Sequence, residues 1–283
     1  MTAFFRILLY IFISILLTTP VAVLGDSMNE FVEKSFMNLF IMIGMLLAIV
    51  IAGKYIDKRP WSEFGITLLP GRFFFMGLLT GGILVSSIFG IQFLLGWLEL
   101  STIQFNKLAG YSFWLVMIGQ VIRYLSGSVF EESFNRGYLL RNIAEGLDQS
   151  LGKNTSVIVA YVFTSSIFGL LHLANEHATF LSTINLILIG LLFGYSVIKT
   201  GKLNFAIALH ASWNIFQNII FGAPNSGKNP VSSLMIFENS GDPLWTGGDF
   251  GIEGGLICTI IVGGYLAFMF IKSNRKPLQK ILN

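Results

Sequence analysis

Long apolar stretches constrain this chain more than any other feature. Eight of them recur between clusters of charge, Pro, Asn and Gly, at residues 4–24, 36–55, 73–98, 111–140, 156–172, 180–198, 203–221 and 254–271. Each is close to the roughly 20 apolar residues that cross a hydrocarbon layer about 30 Å thick. With only 12% charged residues and a mean hydropathy of +0.72, a water-soluble domain is excluded. The expected fold is all-α: a polytopic bundle of about eight transmembrane helices, forming a single integral-membrane domain over residues 1–283. The first run carries Arg6 near its start, as a signal peptide does. Its apolar stretch is longer than a signal core and no small-residue cleavage site stands out, so it reads as a retained helix.

The basic residues predict an orientation, because short cytoplasmic loops carry the excess of Lys and Arg. With the N-terminus inside, that side collects Arg6, Lys54, Lys58, Arg59, Arg72, Arg136, Arg141, Lys153, Lys199, Lys202, Lys272, Arg275, Lys276 and Lys280, which is 14 of the 18. Lys34, Lys107, Arg123 and Lys228 fall elsewhere, and Asp26, Glu30, Glu33, Glu99, Glu238, Asp242 and Asp249 sit outside without contradicting the assignment. Both termini are expected in the cytoplasm, and the chain in the cell membrane with lipid around it. The topology accounts for the net charge of +3 without a nucleic-acid partner. A single Cys258 rules out disulfide and Cys-rich zinc frameworks. Residues 59–65 read as an interfacial segment, 222–255 as a long external loop, and Gly77, Gly81 and Gly82 as close-packing positions.

Several polar residues lie where hydrocarbon would penalise them. A charged group there costs several kcal/mol unless paired or wetted, so Glu131, Glu132, Arg136, His172 and His210 each need a reason. Glu132 and Arg136 are four apart, on one helical face in the favourable acid-before-base order, and read as an internal ion pair. Glu131 is about 100° away and lacks that partner, which suits a group that takes and returns protons. Phe168 and His172 share a face, as do His210 and Asn214. If Arg123 marks the outer boundary, Glu131 lies about 12 Å deep, while His210 and Asn214 stand about 10 and 16 Å above the inner surface. These depths meet only if the helices tilt or break near Gly169 or beyond His172. Asn175, Glu176 and His177 read as solvated loop residues.

The stretches EESFNRG, FGLLH and HASWN, in that order on separate helices, resemble the CPBP family of intramembrane proteases, which includes CAAX prenyl endopeptidases and abortive-infection and bacteriocin-immunity proteins. The resemblance spans residues 119–218, as a catalytic core. It implies that Glu131 and His172 activate the attacking water, that His210 and Asn214 stabilise the oxyanion, and that Glu132, Arg136 and Phe168 support the site. The implied partner is a peptide or protein substrate with a membrane-associated segment. A metal-free glutamic mechanism is preferred, since there is no HExxH pair and no evident carboxylate behind either histidine. Zinc on Glu131, His172 and His210 is the metalloprotease alternative. A non-catalytic immunity or scaffold protein and a proton-coupled transporter are the competing functions. The transporter predicts internal repeats, and none is visible.

Overall fold

The computed structural model describes residues 2–26, 31–67, 69–105 and 110–273. Glu30, Lys107, Arg275, Lys276 and Lys280, and the side chains of Asp26, Glu33 and Lys34, all part of the charge reading, lie outside the described residues. In chain order the elements are α1 (Ala3–Asp26), α2 (Phe31–Ile51), α3 (Arg72–Leu94), β1 (Leu98–Ile103), α4 (Phe113–Glu132), α5 (Leu140–Leu151), α6 (Lys153–Leu170), α7 (Phe180–Thr200), α8 (Asn204–Asn214), β2 (Met235–Asn239), the single turn α9 (Pro243–Thr246) and α10 (Leu256–Ser273). Turns of π-helix over Ala52–Asp57, Ser133–Leu139 and Ile215–Ile220 prolong α2, α4 and α8.

The chain is an all-α membrane bundle. Among the described residues five helices are long and apolar enough to cross a membrane: Ala3–Gly25, Met37–Asp57, Arg72–Leu94, Phe113–Leu151 and Phe180–Thr200. The other three expected spans are also helical, as α6, α8 with its π turn, and α10. Helix α7 has 72% of its apolar window buried and α1 only 11%, so α7 lies at the centre and α1 on the rim. The fourth run does not stop at Leu140 but continues through α5 to Gly152, whose φ of 72° ends it.

Glycines set the closest approaches. A Cβ at Gly77 would lie 2.5 Å from the Phe205 carbonyl, and one at Gly81 would lie 2.6 Å from that of Leu209, so α3 packs backbone to backbone on α8. Gly82 faces the Phe216 ring at 2.9 Å, completing the expected close-packing set. With α3 held this tightly along one side of α8, His210 and Asn214 occupy another side.

Several of the expected cytoplasmic charges, among them Arg6, Lys58, Arg59, Arg141 and Lys202, gather at one end of the bundle. There Arg6 pairs with Asp57 and Glu145 at 3.1 Å each, Arg59 reaches Glu145 at 2.7 Å, and the Tyr138 hydroxyl donates to Asp57 at 2.6 Å. The 59–65 segment is not simply interfacial. Its Phe64 is fully buried and stacks on Tyr138 with ring centroids 5.2 Å apart. Arg136 departs from the charge reading altogether, since it is completely buried rather than at the inner surface.

The third run also ends early, at Leu94, because the alternating Leu98-Glu99-Leu100 pattern goes into a strand. Strand β1 pairs antiparallel with β2, from Leu98 opposite Asn239 to Ile103 opposite Met235. This two-stranded sheet, absent from the all-helical expectation, anchors the 222–255 loop across the end of the bundle remote from Arg6 and Arg59.

Candidate functional site

Under that loop lies a cavity of about 240 Å³ whose walls include Glu131, His172, His210 and Asn214. The residues whose depths did not agree in the sequence thus share one space. Two local features bring this about. Helix α6 stops at Leu170, so His172 sits on the following turn, with its Nδ1–H donating to the Phe168 carbonyl at 2.7 Å. In α4, the π turn begins directly after Glu132, and such turns re-aim side chains at functional sites.

Glu132 and Arg136 form the expected ion pair, 2.9 Å apart with both side chains fully buried. The guanidinium also donates to the Gly190 carbonyl at 3.1 Å and lies 4.6 Å over the Phe168 ring. Glycine at 190 is what admits it, since a Cβ there would stand 3.2 Å from Arg136 Nη2.

Glu132 does more than balance Arg136. Its Oε1 also accepts from His210 Nδ1 at 3.0 Å, which corrects the expectation that no carboxylate stands behind either histidine. The sequence concealed this because the residues lie 78 positions apart. The His210 ring is further fixed by stacking on Phe193 at 4.7 Å and by an edge contact with Phe168 at 5.9 Å.

The cavity has a second set of polar walls, from the loop. Asn225-Ser226-Gly227-Lys228 makes a tight turn closed by reciprocal backbone bonds between Asn225 and Lys228 of 2.9 and 3.0 Å. Positive φ values at Ser226 (46°) and Gly227 (82°) give it the primed geometry that favours glycine. Asn175 donates to the Ser226 carbonyl at 2.9 Å and lines the cavity, so it is not merely a solvated loop residue; Glu176 and His177 are exposed as expected.

Glu253 and Asn225, which the sequence reading passed over, also line the cavity. Glu253 is buried, and its carboxyl receives hydrogen bonds from Gln217 Nε2 (2.6 Å), the Ser226 amide (3.2 Å), the Ser226 hydroxyl (3.3 Å) and Asn225 Nδ2 (3.3 Å). Burial nonetheless raises its pKa above the ordinary carboxylate value. A signal was available, because an acid flanked by glycines abuts the apolar run of α10.

Glu131, Phe168 and His172 also border a second cavity of about 390 Å³, lined mainly by apolar residues of α1 and α4 such as Ile11, Ile15 and Phe130. Glu131 and His172 therefore stand between a polar space under the loop and an apolar one reaching towards α1. Among the described residues, no three His, Cys, Asp or Glu side chains are grouped closely enough to hold a metal ion.

Comparison with known proteins agrees with the motifs. Residues 111–216 match the family model described as type II CAAX prenyl endopeptidase Rce1-like, a segment that contains every candidate residue named from the sequence. The chain is also similar to the uncharacterized protein YyaK of Bacillus subtilis (strain 168), 27% identical over 232 residues that cover 79% of this chain and 72% of the relative. No solved structure matches. The matched segment has the likeness of a CAAX-type intramembrane protease, and its setting is that of an integral membrane protein.

Proposed function

We propose that this chain is an intramembrane endopeptidase that hydrolyses a peptide bond in a membrane-associated protein or peptide. One observation carries the reading: Glu131, His172, His210 and Asn214, from separate elements of the bundle, line a single cavity. In the proposed reaction a water held between Glu131 and His172 gives a proton to Glu131 and attacks the scissile carbonyl carbon. The carbon–nitrogen bond then breaks, and Glu131 returns the proton to the leaving amine, yielding a carboxylic acid and an amine.

The hydrogen bonds support these roles. Because His172 donates through Nδ1, its Nε2 is left to accept from the water in the neutral ring. His210 also has its Nδ1–H engaged, so its Nε2 donates to an oxyanion when the ring is doubly protonated. Glu132, Arg136 and such a ring carry one negative and two positive charges, and the surplus suits an oxyanion. Asn214 accepts at Oδ1 from Asn225, which leaves its amide nitrogen as the second donor. Removing one such donor typically costs about 10²–10³ in rate.

The metal-free route is preferred because among the described residues no three His, Cys, Asp or Glu side chains are grouped as metal ligands are. Glu132 behind His210 and the Phe168 carbonyl behind His172 are also partners that metal-ligating histidines have, so zinc on Glu131, His172 and His210 is the alternative. The apolar cavity beside Glu131 and His172 suits a substrate segment arriving from the bilayer. With the basic end in the cytoplasm, as the charge distribution suggests, the polar cavity opens on the opposite face.

The matched family's name points to prenylated CAAX tails, so the first probe is a quenched-fluorescent peptide ending in a prenylated CAAX sequence, alongside its unprenylated form. Purified protein in lipid nanodiscs should cleave it. Glu131→Ala, His172→Ala and His210→Ala should each reduce cleavage at least about a hundredfold while eluting as folded protein. Full activity in all three would rule out the reading. Stoichiometric zinc that is lost on His210→Ala would overturn the metal-free part alone.

A further inference from the structure

Glu253 and Asn225 lie outside the three motifs, outside the matched segment and outside the reaction above, yet they touch it at one point. Asn225 Nδ2 donates to both Asn214 Oδ1 (3.0 Å) and Glu253 Oε1 (3.3 Å). We propose that Glu253, acting through Asn225, is a positioning residue that holds the Asn214 side-chain amide with its nitrogen, not its oxygen, turned to the substrate. The kinetic part of this inference rests on the protease reading; the structural part does not.

The argument is one of donor and acceptor parity. An amide side chain turned over exchanges an NH₂ for an oxygen at nearly the same position, so shape alone does not choose between the two states. Asn214 presented the wrong way would offer a developing oxyanion a carbonyl oxygen and repel it. Its orientation is set by Asn225, because the Asn214 oxygen is held by the Asn225 NH₂.

Asn225 in turn would turn over readily but for Glu253. A carboxyl oxygen in that place accepts from NH₂ and has no amide hydrogen to offer. Turned over, Asn225 would set its own oxygen against the acceptors of both neighbours. Glu253 itself is fixed on its other side by Gln217 and by the Ser226 amide, at 2.6 and 3.2 Å. Gln217 also donates to the Pro224 carbonyl at 2.6 Å, which ties the start of the loop into the same array. Glu253 and Gln217 are buried while Asn214, Asn225 and Ser226 are half-buried, so the carboxyl that sets the orientation is shielded from water, where a mismatched partner is costly.

The exposure of Ser226's amide to Glu253 needs the primed turn, and the turn needs glycine at 227. A Cβ there would lie 2.1 Å from the Glu176 carbonyl. The 222–255 loop is thus not only a cover. It supplies the groups that decide which end of Asn214 the cavity sees.

Glu253→Gln tests this directly, since glutamine keeps the size but brings an NH₂ that lets Asn225, and then Asn214, turn over. With the prenylated CAAX peptide, kcat should fall tenfold or more with KM changed less than twofold, and Asn225→Ala should behave alike. In an Asn214→Ala background the same Glu253→Gln change should cost less than twofold, because the group it positions is gone. An equal cost in both backgrounds would overturn the proposal. A second arm does not depend on hydrolysis: in ¹⁵N-asparagine-labelled protein, the Asn214 side-chain NH₂ signals, identified by their loss in Asn214→Ala, should shift and exchange more slowly with solvent in Glu253→Gln, because the turned-over NH₂ leaves the cavity and donates to Asn225 Oδ1. Unchanged signals would also overturn it, whether or not the chain proves to be a protease. Absence of hydrolysis by the native chain would count against the protease reading alone, leaving this arm to decide.

Discussion

The buried Glu132–Arg136 pair allows a quantitative test of what holds the centre of the bundle. At 2.9 Å with both side chains wholly buried, the Coulomb attraction is about 6 kcal/mol at an effective dielectric of about 20. Much of it is offset by desolvation, so the informative quantity is the cost of leaving one charge behind. Glu132→Leu leaves the guanidinium with the Gly190 carbonyl and two ring faces, while its Nε already lacks a partner among the described residues. The expected loss is about 3–5 kcal/mol. Arg136→Met should fall at the lower end of that range, because His210 remains beside the carboxylate at 3.0 Å. The double variant strands no charge and should be more stable than either single one, with a coupling of about 2 kcal/mol. Unfolding by increasing SDS in mixed micelles, followed by tryptophan fluorescence, measures all four proteins. Losses that simply add would refute the reasoning, since they would mean the two charges are separately compensated. The double variant should still be inactive, because His210 has lost its carboxylate, and this separates the pair's effect on stability from its effect on the site.

Two further outcomes follow from named contacts. Gly81→Ala places a Cβ 2.6 Å from the Leu209 carbonyl and should cost about 1–3 kcal/mol. By displacing α8 it should also lower hydrolysis, whereas Gly90→Ala, with open space beside it on the same helix, should change neither; thermal unfolding and the peptide assay read both. For Glu253, a folded-state pKa raised by burial means that the folded protein binds the proton more readily than the unfolded chain. Its contribution to stability is then complete below pH 4.5 and is lost as pH rises through the raised folded value. The melting temperature should decline over that window, and Glu253→Gln should flatten the decline; a steeper slope in the variant would contradict the sign.

Read alone, the chain determines that it spans a membrane, where most of its helices run and which polar residues are out of place, because hydropathy, charge and i, i+4 spacing are local quantities. Gly77 and Gly81 are legible for the same reason: two small residues four apart on an apolar helix make a surface that another backbone can approach. The Glu132–Arg136 pair is legible too, being one turn of one helix.

What the tertiary structure decided is which groups meet. His172 shares a cavity with Glu131 because α6 stops two residues before it, and helix ends are weakly encoded. The Glu132–His210 bond joins two elements 78 residues apart and leaves no periodic trace. Glu253 and Asn225 enter the site only because the β1–β2 pairing and a primed turn bring a loop over the bundle. Hydrophobic burial is set residue by residue, whereas hydrogen-bond partners within the membrane depend on where the whole chain returns, so the sequence named the costly polar groups and the fold supplied their partners.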